Sequence, residues 1–284
     1  MEIQTVGIVG AGAMGNGIAQ AFAVTGFPVV MVDIAQAAVD KGLATIGKSM
    51  DRLIVKGKLT EADKAAALAR IQGSTRYDDL KGVQLVVEAA TENPEIKRAI
   101  LKQLDALLAP EAIIATNTSS ISITELAAVT GRADRFVGMH FFNPVPMMAL
   151  VEIIRGLQTS DATHDTAKAV AVKLGKSPIS VRNSPGFAVN RLLVPMINEA
   201  FYVLAEGLAT PEDIDAGMKL GCNHPMGPLA LADLTGLDVC LAVMEVFHHE
   251  FGDSKYRPCP LLREYVTAGR LGRKTGRGVY SYAK

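Results

Sequence analysis

The feature that most constrains this chain is a glycine turn set between a strand pattern and a helix pattern. The apolar run Val6-Gly7-Ile8-Val9 leads directly into Gly10-Ala11-Gly12-Ala13-Met14-Gly15, and a helical pattern follows to Ala23. In that context each glycine has a mechanical purpose. Gly10 permits a tight turn, Gly12 lets the backbone approach a pyrophosphate, and Gly15 lets the helix pack closely on the strand. The N–H groups of the turn and helix start, from Gly10, Ala11, Gly12, Ala13, Met14 and Gly15, then face an anion, favoured by the helix dipole. The second strand pattern ends at Asp33, 21 residues after Gly12. A carboxylate there accepts both ribose hydroxyls and repels a 2′-phosphate, and no arginine lies in the next seven residues to receive one. The expected cofactor is therefore NAD rather than NADP. A glycine turn in some other α/β fold is the competing reading of the same residues.

The rest of the chain supports a two-part layout. Short apolar runs at 5–9, 29–32, 84–88, 112–116, 136–140, 150–154 and 179–181 alternate with amphipathic segments near 14–26, 36–56, 61–70, 95–108 and 162–175. This alternation predicts a parallel sheet covered on both faces. Thr60-Glu61-Ala62-Asp63 and Ser122-Ile123-Thr124-Glu125 read as helix starts. After Asn183-Ser184-Pro185-Gly186 the strand pattern stops and helical periodicity takes over, with Thr210-Pro211 as a further helix start. The expected fold is thus α/β. A Rossmann-type doubly wound sheet domain, residues 1–184, precedes an all-α C-terminal domain, residues 185–284. The long apolar segment 229–251 reads as a helix buried on several sides, which predicts packing of this domain against a second subunit.

Composition excludes several classes. The 284 residues carry 29 Lys+Arg against 29 Asp+Glu, so no net field draws the chain to nucleic acid or an anionic membrane. No apolar run approaches the roughly 20 residues of a membrane-spanning helix. A chain this long buries about 75% of its unfolded surface and needs no covalent staple. Cys222, Cys240 and Cys259 fit no zinc spacing and read as buried, reduced thiols, so no metal is expected. The N-terminus has neither a signal-peptide core nor an Arg-rich transit pattern, so the expected compartment is the cytoplasm.

Of the five histidines, position singles out His140. It ends a strand pattern, a proline-rich link (Asn143-Pro144-Val145-Pro146) follows, and a second strand pattern carries Glu152. A hairpin centred near Pro146 places the two side chains opposite each other on one face. A carboxylate beside an imidazole fixes its tautomer and suits it to take a proton from an alcohol. A structural and a catalytic His–Glu pair fit these residues equally. Asn117-Thr118-Ser119-Ser120 follows an apolar run, at the strand edge where ligands gather in open α/β sheets, although the same residues also suit a turn and helix cap.

Taken together, these residues resemble the short-chain L-3-hydroxyacyl-CoA dehydrogenases. The likeness covers the whole chain and is most specific in VGIVGAGAMGNGIAQAFA, ATNTSSISITELA, GMHFFNPVPMMALVEII, NSPGFAVNRLL, NHPMGPLALADLTGLD and GRLGRKTGRGVYSY. The resemblance implies a catalytic pair at His140 and Glu152, with Ser119 and Asn190 binding the reacting oxygens of the substrate. Since Asn190 lies past the domain boundary, it also implies a site in the cleft between domains. It adds Glu92, Lys97, Asn117, Ser119, Asn143 and Lys274 to the cofactor residues, and Ser49, Arg52 and Lys56 as a coenzyme A face. Positions 49, 52 and 56 share one helix face, which in most proteins is simply solvated. Lys274 belongs to a basic C-terminal run, Arg263, Arg270, Arg273, Lys274, Arg277 and Lys284 against Glu264 alone, for which a solvated tail is the competing reading. The implied activity is NAD-dependent interconversion of (S)-3-hydroxybutyryl-CoA and acetoacetyl-CoA by a homodimer, within fatty acid metabolism. Alternatives on the same scaffold are a sugar-acid (gulonate-type) dehydrogenase and a non-catalytic NAD-binding protein.

Overall fold

The structure is a computed structural model that describes residues 2–282, so Lys284 of the basic run lies outside the described residues. The chain divides into two units, Met1–Ser184 and Pro185–Lys284.

The first unit is built on eight strands: β1 (Val6–Val9), β2 (Val29–Val32), β3 (Ile71–Ser74), β4 (Leu85–Glu88), β5 (Ile113–Thr116), β6 (Phe136–Phe141), β7 (Leu150–Arg155) and β8 (Ser177–Arg182). They form one sheet in the order β3-β2-β1-β4-β5-β6-β7-β8. β1, β2, β4 and β5 are buried at every residue, as central parallel strands must be when helices cover both faces. The helices are α1 (Ala13–Val24), α2 (Gln36–Val55), α3 (Glu61–Ala69), α4 (Pro94–Leu107), α5 (Ile123–Ala127) and α6 (Asp161–Lys173). Thr60 and Asp63 form a reciprocal capping box at α3, and Ser122 accepts from Glu125 N at α5. The connections run outward in both directions from β1 and β4, which leaves a crevice above their C-terminal ends.

One strand departs from the expected sheet, and the expected hairpin turns its far side antiparallel. β3 has the sequence Ile-Gln-Gly-Ser and shows no apolar run, because it is an edge strand with one face half-exposed. Its Gly73 lies under α2, where a Cβ would stand 2.5 Å from Val39 Cγ1. The sheet is parallel from β3 to β6, but β7 runs antiparallel to β6, and β8 is parallel to β7.

The second unit contains α7 (Val189–Ala205), α8 (Pro211–Gly221), α9 (Pro228–Thr235), α10 (Leu237–Phe251) and α11 (Pro260–Thr267). Its core gathers Ile197, Phe201, Leu229, Leu237, Cys240 and Leu262. The apolar segment expected as one helix is two helices. Gly236 sits between them with φ +107°, a backbone conformation that side-chain-bearing residues rarely adopt. The buried Asp233 carboxylate accepts from Val279 N, Tyr280 N and Tyr282 Oη, which fastens the C-terminal segment to α9. Cys240 and Cys259 are buried, and burial pushes the Cys240 thiol up to about 12. Cys222 departs from the expectation: it follows the last residue of α8 and is exposed. Among the described residues, no helix is long and apolar enough to cross a membrane.

Candidate active site

The glycine turn has the geometry its sequence demands. Gly10 has φ +100°, and a Cβ there would stand 2.7 Å from Ala89 O. At Gly15 a Cβ would lie 1.8 Å from Gly10 O, so this contact between helix and turn admits only glycine. Gly12 is the opposite case: no atom lies within 4 Å of a Cβ built there, so its backbone faces open space. α1 starts at that point with no side-chain cap and no acid in its first turn, leaving its N–H groups to an incoming anion. At the end of β2, Asp33 accepts from Ala11 N at 2.9 Å and Ala35 N at 3.3 Å, which fixes its carboxylate beside the turn. A cavity of about 380 Å³ opens there, with Gly10, Asp33, Ile34, Tyr77, Ile96 and Gln103 in its wall. It suits an adenosine group, with apolar walls for the base and a carboxylate for the ribose. Burial, with the negative charges of Glu88 and Asp33 nearby, pushes the Tyr77 hydroxyl up to about 12. Ile34, Tyr77, Ile96 and Gln103 were not anticipated. Only Ile34 carried a sequence signal, as an apolar residue directly after the acidic strand end.

Below the turn, Glu88 at the end of β4 is fully buried and paired with Lys97 of α4, itself 1% exposed. Thr116 Oγ1 donates to Glu88 Oε2 at 2.9 Å, and Ala90 N donates to Oε1 at 3.0 Å. Lys97 therefore faces Glu88 rather than a solvent-accessible surface. The next acid, Glu92, gathers the segment after β5. Its carboxylate accepts from Thr118 Oγ1 at 2.7 Å, Ser119 N at 2.8 Å and Ser119 Oγ at 3.3 Å. Asn117 Oδ1 accepts from Phe141 N at 2.9 Å and so ties β5 to β6 beside His140. Glu92, Asn117 and Ser119 thus converge on one strand edge, together with Thr118 of the same segment.

The β6–β7 hairpin pairs His140 with Glu152 across the two strands. His140 Nδ1 lies 2.7 Å from Glu152 Oε2, with side-chain exposures of 8% and 0%. An ionised carboxylate can only accept, so it selects the Nδ1–H tautomer, and Nε2 is then the nitrogen that exchanges a proton. The Phe142 ring packs on the imidazole at 4.5 Å between centroids. Asn143 follows on an exposed loop, joined to Pro144 by a cis peptide.

The remaining expected residues lie elsewhere. Arg52 and Lys56, at the end of α2 and just beyond it, are exposed, Ser49 is half-buried, and the neighbouring Asp51 is paired with Lys64. In the second unit, Asn190 is the second residue of α7, and Lys274 Nζ donates to Asp238 Oδ2 at 2.7 Å. Among the described residues, no three His, Cys, Asp or Glu side chains cluster as a metal site would require.

A doubly wound sheet with this turn, an acidic second-strand end and an adenosine-sized cavity defines an NAD-binding oxidoreductase. Comparison with known proteins narrows the class. Residues 5–184 match the family model of the 3-hydroxyacyl-CoA dehydrogenase NAD binding domain, and residues 186–282 match that of the C-terminal domain. The chain belongs to the 3-hydroxyacyl-CoA dehydrogenase family. It is 54% identical to a 3-hydroxybutyryl-CoA dehydrogenase of Bradyrhizobium diazoefficiens, over 99% of this chain and 96% of that one. A 3-hydroxybutyryl-CoA dehydrogenase of Clostridioides difficile is 52% identical, over 98% and 99%. Among solved structures, (S)-3-hydroxybutyryl-CoA dehydrogenase PaaH1 from Ralstonia eutropha is 71% identical, with both chains fully covered and a TM-score of 0.98.

Proposed function

We propose that this chain interconverts (S)-3-hydroxybutyryl-CoA and acetoacetyl-CoA, with His140 as the acid/base and Glu152 as its orienting partner. The observation that carries this reading is the 2.7 Å contact of His140 Nδ1 with a carboxylate fully withdrawn from water. Bound NAD supplies the acceptor for the hydrogen leaving C3. That hydrogen would leave as hydride, and the protein's part is to move the single proton of the hydroxyl. Nε2 of His140 takes it from the 3-hydroxyl, and Glu152 stabilises the imidazolium that forms. In the reverse direction the same imidazolium returns the proton to the ketone oxygen. Ser119 holds the reacting oxygen at the end of β5 and keeps C3 within reach of the cofactor, an orientation effect. Asn190 enters this reading on the family resemblance alone.

For coenzyme A, the proposal uses Ser49, Arg52 and Lys56. Arg52 and Lys56 have no ion-pair partner among the described residues, and the adjacent acid is already engaged by Lys64. A free hydroxy acid lacks the coenzyme A phosphates that such a face would hold. Homodimerisation is assigned to the second unit, where Leu192, Leu208 and Leu220 are exposed apolar side chains. Sedimentation giving a monomer mass would refute the dimer. The functional test follows NADH consumption with acetoacetyl-CoA and with acetoacetate. Strong preference for the thioester is expected, and equal turnover of the two removes the coenzyme A assignment. For the cofactor, Asp33→Asn should narrow the NAD-over-NADP preference about tenfold, the scale of one charge-assisted hydrogen bond. An unchanged ratio removes Asp33 from the ribose.

A further inference from the structure

The eight-residue link 142–149 between His140 and Glu152 belongs to neither strand, yet both ends of the hairpin depend on it. Its internal bonds are few: Met147 N and Met148 N both donate to Pro144 O, at 2.9 and 3.0 Å. Three outside contacts fasten it. On one side Val145 is buried against α1, where a Cβ on Gly17 would stand 3.0 Å from Val145 Cβ. On the other, Lys176 reaches in from the turn after α6, and its Nζ donates to Val145 O at 2.6 Å and Met148 O at 2.8 Å. Next to it, Ser177 N donates to Ala149 O at 2.7 Å. Lys176 is half-buried and has no carboxylate partner among the described residues. Its ammonium is therefore committed to two loop carbonyls that no helix or ladder satisfies, a strong pairing because the donor is charged.

We propose that Lys176 is a positioning residue for the reaction: its ammonium fixes the 142–149 loop, and through it the seat of Phe142 on the His140 ring and the placement of Asn143. The proposal rests on the acid/base reading of His140 and Glu152. It adds a lysine that touches neither the substrate nor the cofactor but sets where the imidazole stands. A displacement of about 1 Å at the reacting centre costs up to about 100-fold in rate, so a loosened loop is felt in turnover before it is felt in folding.

The experiment compares Lys176→Met and Lys176→Arg in the full-length protein. It reads kcat and KM with acetoacetyl-CoA, the thermal midpoint, and the His140 ring resonances, whose shifts report the Phe142 ring current. The Met variant is expected to lose about tenfold or more in kcat, with KM changed less than about twofold and the His140 resonances displaced. The Arg variant, which keeps a cation that can donate to both carbonyls, is expected to recover kcat to within about threefold of the parent. Lys176→Gln, a shorter neutral donor, replaces the Met variant should that one not fold. Parental kcat in the neutral variant overturns the proposal. So does a loss of kcat that Arg does not rescue while the His140 resonances stay in place. The resonance readout reports loop position even where His140 proves not to be the base, so failure of that reading is seen separately.

Discussion

Two histidines in the first unit carry a carboxylate neighbour, and only one has a site around it. His140 Nδ1 meets Glu152 at 2.7 Å, and His164 Nδ1 meets Asp165 at 2.9 Å. His164 even has a hydroxyl in line, since its Nε2 lies 2.9 Å from Ser180 Oγ. By residue type His164 is the richer cluster, yet its carboxylate is the next residue in the chain and 75% exposed, so water and salt screen it. Glu152 comes from the adjoining strand and is fully buried. What separates the two is how the carboxylate is held. Strand register and exclusion of water preorganise one pair, and the other is a surface contact on α6.

The comparison breaks if the two histidines respond alike. His140→Ala should lower kcat by about 10³-fold, the middle of the range for a positioned general base. Near-parental turnover would remove it from the chemistry. Glu152→Gln keeps the shape but loses the charge that stabilises the imidazolium, so a smaller fall of about 10²-fold is expected, with KM little changed. A loss equal to that of His140→Ala would mean that Glu152 takes more than an orienting part. His164→Ala should leave kcat within about twofold and act on stability instead, since it removes a buried ring that links α6 to Ser180 of β8. A tenfold fall in its turnover would overturn the distinction drawn above. Asp165→Asn should move neither turnover nor the melting temperature measurably, as befits an exposed pair; a clear change in either would show that exposure is the wrong criterion.

What the sequence made legible follows the same division between local and long-range order. Central strands such as Val29–Val32 are short apolar runs closed by turn residues, and they read directly. The His140–Glu152 pairing was legible because a proline-rich link between two strand patterns fixes a hairpin register. β3 was not, because an edge strand needs no apolar run on its half-exposed face. The break at Gly236 was hidden inside an unbroken apolar period. The adenosine cavity joins Ile34, Tyr77, Ile96 and Gln103, residues that only the crossover topology brings together. Lys97 shows the limit of reading a cation as a ligand: its partner, Glu88, ends the strand that precedes its helix and is just as deep. Lys176 was equally silent, since a lysine after a glycine turn reads as solvated surface.

The contact of Val145 with Gly17 bears on how freely such a domain can be rebuilt. The helix that starts at the glycine turn also serves, one turn further on, as the wall against which the link of the β6–β7 hairpin rests. A nucleotide-binding helix transplanted from another protein would need glycine at position 17, or a few tenths of an ångström of give in Val145, as well as the glycines of the turn. Nucleotide-binding helix and hairpin are therefore not freely interchangeable parts, and a chimera joined between them inherits a steric condition that no glycine fingerprint records.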